Sequence, residues 1–312
     1  MELKKNILIT GGKGYLGTRI ANFLSEIDYF SVFVTSRNNL PLENKRVQLI
    51  SVSTSSDNLE IVLESIDVVI HLAALDAKNS DLFPEEAIDV NIKDTIKWLE
   101  ASAKSKVCHF IYFSTIHVYG NSLIDNISEN SPAMPVHPYA ITHKCAEDYV
   151  LYYGKKHGFK SQIFRLSNSM GYPESEMSQW NLLVPDLCKK AVLTNKIPLH
   201  SNPKTTRDFI PIQDVCRAIE HFIKNKEIEE GIYNISSAKS MTILEMATKI
   251  KQQCQELGIN LPTIDLLSQE INEPPSYTID NTKLKETGFV LNENYELEIK
   301  GLLTYCLNNF KK

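Results

Sequence analysis

Through the first half of the chain, short apolar runs alternate with longer stretches whose apolar residues recur at helical spacing. The runs at 6–10, 31–35, 47–51, 68–72, 107–114 and 161–166 predict strands. Between them, 15–26 sets Leu16, Ile20, Phe23 and Leu24 on one side of a helix, and 58–64, 84–105 and 139–156 predict further helices. Near-continuous apolar strands separated by helices point to an α/β fold with a doubly wound, mostly parallel sheet of the Rossmann class. Beyond Gly171 the pattern loosens, with prolines at 173, 185, 198, 203 and 211 and again at 262, 274 and 275. Helices are still expected at 183–194, 213–224 and 243–257. The organisation predicted is a sheet domain over 1–170 and a smaller C-terminal lobe over 171–312, some segments of which return to the sheet.

The first strand runs straight into Thr10-Gly11-Gly12-Lys13-Gly14-Tyr15-Leu16-Gly17, and a helix opens there. Gly11 permits a tight turn, Gly14 admits a pyrophosphate to the backbone, and Gly17 lets helix and strand pack closely. The first helical N–H groups, those of Tyr15 and Leu16 among them, then face the phosphates. In this context the loop predicts a dinucleotide-binding domain rather than a bare glycine turn. The second strand ends in Thr35-Ser36-Arg37-Asn38 without the acid that usually bonds an adenosine ribose hydroxyl. Ser36 and Arg37 suit a 2′-phosphate, so NADP is preferred and NAD is the alternative.

Composition narrows the partners. With 33 Lys and Arg against 38 Asp and Glu, the net charge of −5 offers no basic excess for nucleic acid. No apolar run approaches the roughly 18 residues that span a bilayer, and the N-terminus does not read as a signal peptide. A cytoplasmic protein with no membrane partner is expected. Cys108, Cys145, Cys188, Cys216, Cys254 and Cys306 are scattered, with no C-x-x-C pair and no metal-ligand spacing. They read as reduced, mostly buried residues, and no metal site is expected.

With these residues in view, the chain resembles the extended short-chain dehydrogenase/reductase family, in its nucleotide-sugar epimerase, dehydratase and reductase branch. His71-Leu72-Ala73-Ala74 is similar to the family's motif beside the cofactor. Asn91 stands where the family has a structural asparagine. The resemblance continues through Ser114-Thr115-Ile116-His117-Val118-Tyr119-Gly120, Pro138-Tyr139-Ala140 and Arg165 to Gly171. It ends with Arg207-Asp208-Phe209-Ile210 with Asp214, and Asp280 with Lys283. The resemblance implies that Tyr139 is the general acid/base, that Thr115 bonds the same substrate oxygen, and that Asn168 and Arg207 contact a nucleotide diphosphate. It also implies a homodimer paired through helices 84–105 and 139–156.

The chain departs from that family at one catalytic position. Four residues after the tyrosine the family carries a lysine, which lowers the phenol's pKa and holds the nicotinamide ribose. Here that residue is His143. Lys144 is one position further, about 140° around the helix from Tyr139. His143 either takes the lysine's place as an imidazolium or ribose donor, or leaves Tyr139 less acidic, or marks a protein with little turnover. After Thr115, Ile116 and His117 replace the acidic residues of the 4,6-dehydratases, which disfavours dehydration. His117 is a second acid/base candidate, or a histidine packed at a strand end. The stretch 252–282 holds no Lys, Arg or His, so the family's second diphosphate-binding arginine is missing there, and Lys204 is a candidate to compensate.

The leading expectation is NADPH-dependent reduction of a nucleotide-linked 4-keto sugar. The alternatives are an NAD-dependent nucleotide-sugar epimerase and a cofactor-binding protein with little catalysis.

Overall fold

The computed structural model describes residues 4–36, 42–52, 59–121, 125–174, 180–268 and 274–310. Contacts divide the chain into two compact units. The first comprises 1–122, 129–166 and 219–234, and the second 123–128, 167–218 and 235–312.

The first unit is built on a seven-stranded sheet. Its first five strands in chain order are β1 (Lys5–Thr10), β2 (Phe30–Ser36), β3 (Val47–Ser51), β4 (Val68–His71) and β5 (His109–Thr115). The spatial order is Gly231–Ile235, Lys160–Leu166, β5, β4, β1, β2, β3. From β3 to Lys160–Leu166 every neighbouring pair is parallel. The order reverses between β1 and β4, and such a switch point leaves a crevice beyond the strand ends where ligands bind in this class of sheet. Both central strands are buried along their whole length, as their apolar runs predicted. Each fully buried Ile or Phe contributes about 1.5–3 kcal/mol of apolar transfer.

Helix α1 (Tyr15–Ser25) follows the glycine loop and buries Ile20 and Leu24. The region expected as one helix over 84–105 is helical but not uniform. It runs as α-helix over Pro84–Ala87, widens to a π-helical stretch over Ile88–Asp94, and returns to α-helix over Thr95–Ala103. The Pro138–His157 helix starts on a proline, which fits the first turn, and stops at Gly158 in the left-handed region, φ +79°.

The second unit contains a three-stranded sheet of Asn168–Met170, Thr206–Pro211 and Ser240–Thr242. Helices Leu183–Thr194, Ile243–Glu256 and Tyr295–Phe310 pack a core around Leu187, Phe209, Ile250 and Leu302. Among the cysteines, Cys188, Cys216, Cys254 and Cys306 are buried and all six are free thiols. No helix among the described residues is long and apolar enough to cross a membrane.

Three histidines of the first unit, His71, His109 and His143, are buried, and burial lowers each to about 3 from 6.5. Below about pH 6.5 each takes a proton in the unfolded chain that it refuses in the folded one. Their contribution is therefore complete above that pH and is lost on acidification towards 3. From pH 7.5 to 5.5 these three groups should remove about 4 kcal/mol of stability. The urea midpoint is expected to fall clearly over this interval, and an unchanged midpoint would refute the neutral assignment.

Candidate active site

The glycine loop hangs from the end of β1, and its glycines are not equivalent. Gly11 lies at φ +68°, and a Cβ there would stand 2.9 Å from the Ala73 backbone nitrogen. A Cβ on Gly17 would fall 2.3 Å from the Gly11 carbonyl oxygen and 2.8 Å from Gly12 Cα. Both are glycine because the chain itself occupies the space. Gly14, the N-cap of α1, is exposed, and a Cβ there would meet only the Gly11 oxygen, at 3.2 Å. Tyr15 and Leu16 form the first turn of α1 behind it. Ser36 closes β2, and Arg37 lies outside the described residues.

A hydrogen-bond chain joins this loop to the neighbouring elements. Thr10 Oγ1 accepts the N–H groups of Leu72 and Ala73 at 3.2 Å each and lies 2.8 Å from His71 Nδ1. With two donors already on that oxygen, the Thr10 proton goes to Nδ1, and His71 Nε2–H donates to Thr95 Oγ1 at 3.1 Å. Thr95 in turn donates to the Asn91 carbonyl. The side chain of Asn91, within the π-helical stretch, accepts from Leu75 N–H at 2.7 Å and donates to Thr142 at 2.9 Å. The turn carrying Leu72, Ala73 and Ala74 is thus tied to the helix that carries Tyr139. A single π turn inside a helix is frequent at functional positions.

Tyr139 sits in the first turn of the Pro138–His157 helix. Part of the residue is exposed, yet desolvation of the phenol pushes it up to about 12, against a hydrogen bond from the Thr115 hydroxyl that pulls it down. Thr115 ends β5 and also accepts the His117 N–H. One turn along the helix, the His143 ring meets the Tyr139 ring edge-on, with centroids 4.4 Å apart. His143 Nδ1 lies 2.8 Å from the Tyr112 hydroxyl, while its buried Nε2 has no partner among the described residues. Burial, with the nearby His117 charge, lowers His143 to about 3, so it is a neutral imidazole and not a cation. Lys144 faces elsewhere and pairs with Asp148 at 2.6 Å.

His117 is exposed and forms an edge contact with Tyr139 at 6.5 Å. His137 stacks on Tyr139 at 6.1 Å with planes 8° apart and touches His117 at 5.6 Å. Sequence reasoning missed His137 and Tyr112. The first precedes Pro138-Tyr139 directly. The second is the phenol in an otherwise apolar stretch of β5, and its partner is 31 positions away.

Arg165, singled out with the Asn168 loop, serves packing. It donates twice to Glu147, at 3.0 and 2.7 Å, and its guanidinium covers the Tyr119 ring. In the second unit Asn168 donates to the Asp208 carbonyl at 2.9 Å, on a strand parallel to the one carrying Arg207. Arg207 is half-buried near Tyr277, and Lys204 is exposed in the turn before that strand.

The description "NAD dependent epimerase/dehydratase family" matches residues 7–236. The chain is similar to the mouse dTDP-D-glucose 4,6-dehydratase, 28% identical over 328 residues, covering 98% of this chain and 90% of that one. In fold it is similar to the UDP-N-acetylglucosamine 4-epimerase of Methanobrevibacter ruminantium M1, solved with UDP-N-acetylmuramic acid. There the TM-score is 0.83 at 23% identity, over 98% of this chain and 99% of that one. The UDP-glucuronic acid 4-epimerase of Bacillus cereus, solved with NAD, has a TM-score of 0.83 at 23% identity, over 98% and 100% of the two chains. The glycine loop, the Thr115–Tyr139 pair and the Asn91 tie all fall within 7–236, and the chain belongs to the NAD-dependent epimerase/dehydratase family of enzymes.

Proposed function

We propose that this enzyme reduces a keto group on a nucleotide-linked sugar with a nicotinamide dinucleotide, and that Tyr139 delivers the proton. The carrying observation is that, among the described residues, no lysine ammonium stands beside Tyr139. The position four residues on holds a neutral imidazole, and Lys144 is engaged with Asp148. A phenol in such surroundings keeps its proton at neutral pH, which suits donation to a ketone better than abstraction from an alcohol.

The residues present fit a dinucleotide. Gly14 is crowded by the chain far less than Gly17, with one contact at 3.2 Å against 2.3 Å, and its exposed backbone suits the approach of a pyrophosphate. His143 Nε2 is a buried polar atom awaiting a partner, as expected of a donor to a ribose hydroxyl. When bound, the dinucleotide supplies the hydride. Tyr139 O–H would give its proton to the carbonyl oxygen of the sugar, and Thr115 Oγ1 would hold the same oxygen. Tyr139 is partly exposed and so regains its proton from water. His117 and His137 stand as further groups against the sugar. Asn168, Lys204 and Arg207 are the candidates for the nucleotide diphosphate. In this reading 1–170 serves as the dinucleotide domain and 171–312 mainly as the substrate lobe. Exposed Ile88, Ile141, Tyr149 and Tyr152 on the helical region at 84–105 and on the Tyr139 helix support a homodimer.

Epimerisation, with hydride returned to the other face of the same carbon, is the second reading. It is favoured by the solved 4-epimerases that share this fold, one of them with NAD. NADP as the cofactor rests on Ser36 and Arg37, and NAD is supported by that neighbour. Dehydration, the activity of the mouse relative, is disfavoured because Ile116, directly after Thr115, is a buried apolar residue.

Two experiments test these points. Incubation with a nucleoside-diphosphate 4-keto sugar and dinucleotide deuterated at C4 should place one deuterium in the sugar for each dinucleotide oxidised. Interconversion of sugar epimers on tightly held NAD, with no net oxidation, would overturn the reductase reading in favour of the epimerase. For the loop, Gly14→Ala is expected to lower the melting temperature less than Gly17→Ala while weakening dinucleotide binding about tenfold or more, about 1.4 kcal/mol. Gly17→Ala should lower stability by about 1–3 kcal/mol through overpacking. Equal effects of the two on stability would contradict the distinction.

A further inference from the structure

We propose that Tyr112 is a positioning residue for the dinucleotide: its hydroxyl locks His143 into the tautomer that carries its proton on Nε2. The proposal rests on the reading above in which His143 donates to the cofactor's ribose.

The hydroxyl of Tyr112 lies 2.8 Å from His143 Nδ1, and both side chains are buried. Two neutral arrangements share one proton across that distance. In one, Nδ1–H donates to the phenol oxygen, and the Tyr112 proton is left buried with no acceptor among the described residues. In the other, Tyr112 O–H donates to Nδ1, and only Nε2–H is left without a partner among the described residues. The first arrangement leaves two buried polar atoms unpaired and the second leaves one, so the second wins. Burial also pushes the Tyr112 phenol well above its usual range, so the proton stays available. The consequence falls on the other ring nitrogen. Nε2 becomes N–H, and it is the nitrogen that has no partner among the described residues.

The Tyr112 ring is itself held in place. It stacks on His71 at 5.9 Å, with planes 21° apart, and His71 and Tyr112 are register partners on β4 and β5. His71 is clamped by Thr10 and Thr95 at its two nitrogens. The row His71, Tyr112, His143, Tyr139 therefore runs from the glycine loop to the proton donor, and Tyr112 is the member that decides which nitrogen of His143 bears hydrogen. Where a lysine needs no such partner, because every ammonium proton can donate, an imidazole does.

The test uses the full chain labelled with ¹⁵N-histidine, with the His143 signals assigned by comparison with His143→Gln. The cofactor-free wild type should show a protonated Nε2 and a bare Nδ1 near neutral pH. Tyr112→Phe should show both tautomers, and its dissociation constant for NAD or NADP, measured by calorimetry, should rise about three- to tenfold. A wild-type proton on Nδ1 overturns the proposal, and this spectrum decides by itself should Tyr112→Phe fail to fold. Weakened binding by His143→Ala, together with wild-type tautomer and affinity in Tyr112→Phe, overturns the proposal alone. Wild-type affinity in His143→Ala removes the reading on which it rests, and the proposal with it.

Discussion

The carboxylate of Glu147, fully buried, ties the Pro138–His157 helix to two neighbouring strands of the sheet. It accepts from Ser114 on β5 at 2.5 Å and from Arg165 on the next strand at 3.0 and 2.7 Å. A charge in this position is tolerated only because each oxygen is paired, and removing one partner of such a pair costs about 3–5 kcal/mol. The geometry upstream depends on it. Glu147 lies two helical turns beyond Tyr139 and one beyond His143, so its anchorage sets the helix against β5. That sets Tyr139 beside Thr115, and His143 Nδ1 within 2.8 Å of the Tyr112 hydroxyl.

A neutral histidine in this place changes the electrostatics of the site. A lysine ammonium beside a phenol stabilises phenolate, and an imidazole lowered to about 3 does not. Desolvation therefore dominates at Tyr139, and the phenol is pushed up to about 12. In the proposed reading the site keeps a protonated phenol and a ribose donor without an ammonium. Holding the ribose is then separated from lowering the phenol's pKa, two tasks that a single lysine would combine.

Much of the sheet was legible because its signals are local. The runs at 47–51 and 161–166 recur as Val47–Ser51 and Lys160–Leu166, and the helix expected at 183–194 is Leu183–Thr194. The glycine loop was legible because strand, turn and helix are contiguous. The C-terminal helix Tyr295–Phe310 was not. Its start, Tyr-Glu-Leu-Glu-Ile, alternates like a strand, and Gly301 interrupts it where the Tyr172 ring packs against the helix. The π-helical stretch at Ile88–Asp94 carries no compositional mark and shows only in the backbone around Asn91. His143 could be seen as a departure at its position, but its charge state could not. That depends on burial and on Tyr112, which another element brings across 31 positions of sequence.

Tyr139 holds its proton through neutral pH because the position one helical turn on carries a neutral imidazole in place of an ammonium. Ultraviolet difference titration of the cofactor-free protein against Tyr139→Phe measures this directly. No phenolate assignable to Tyr139 should appear below about pH 9, well above neutrality though short of full ionisation. A Tyr139 phenolate titrating near pH 7 would contradict the claim, because it would require a positive charge at the position where His143 is neutral.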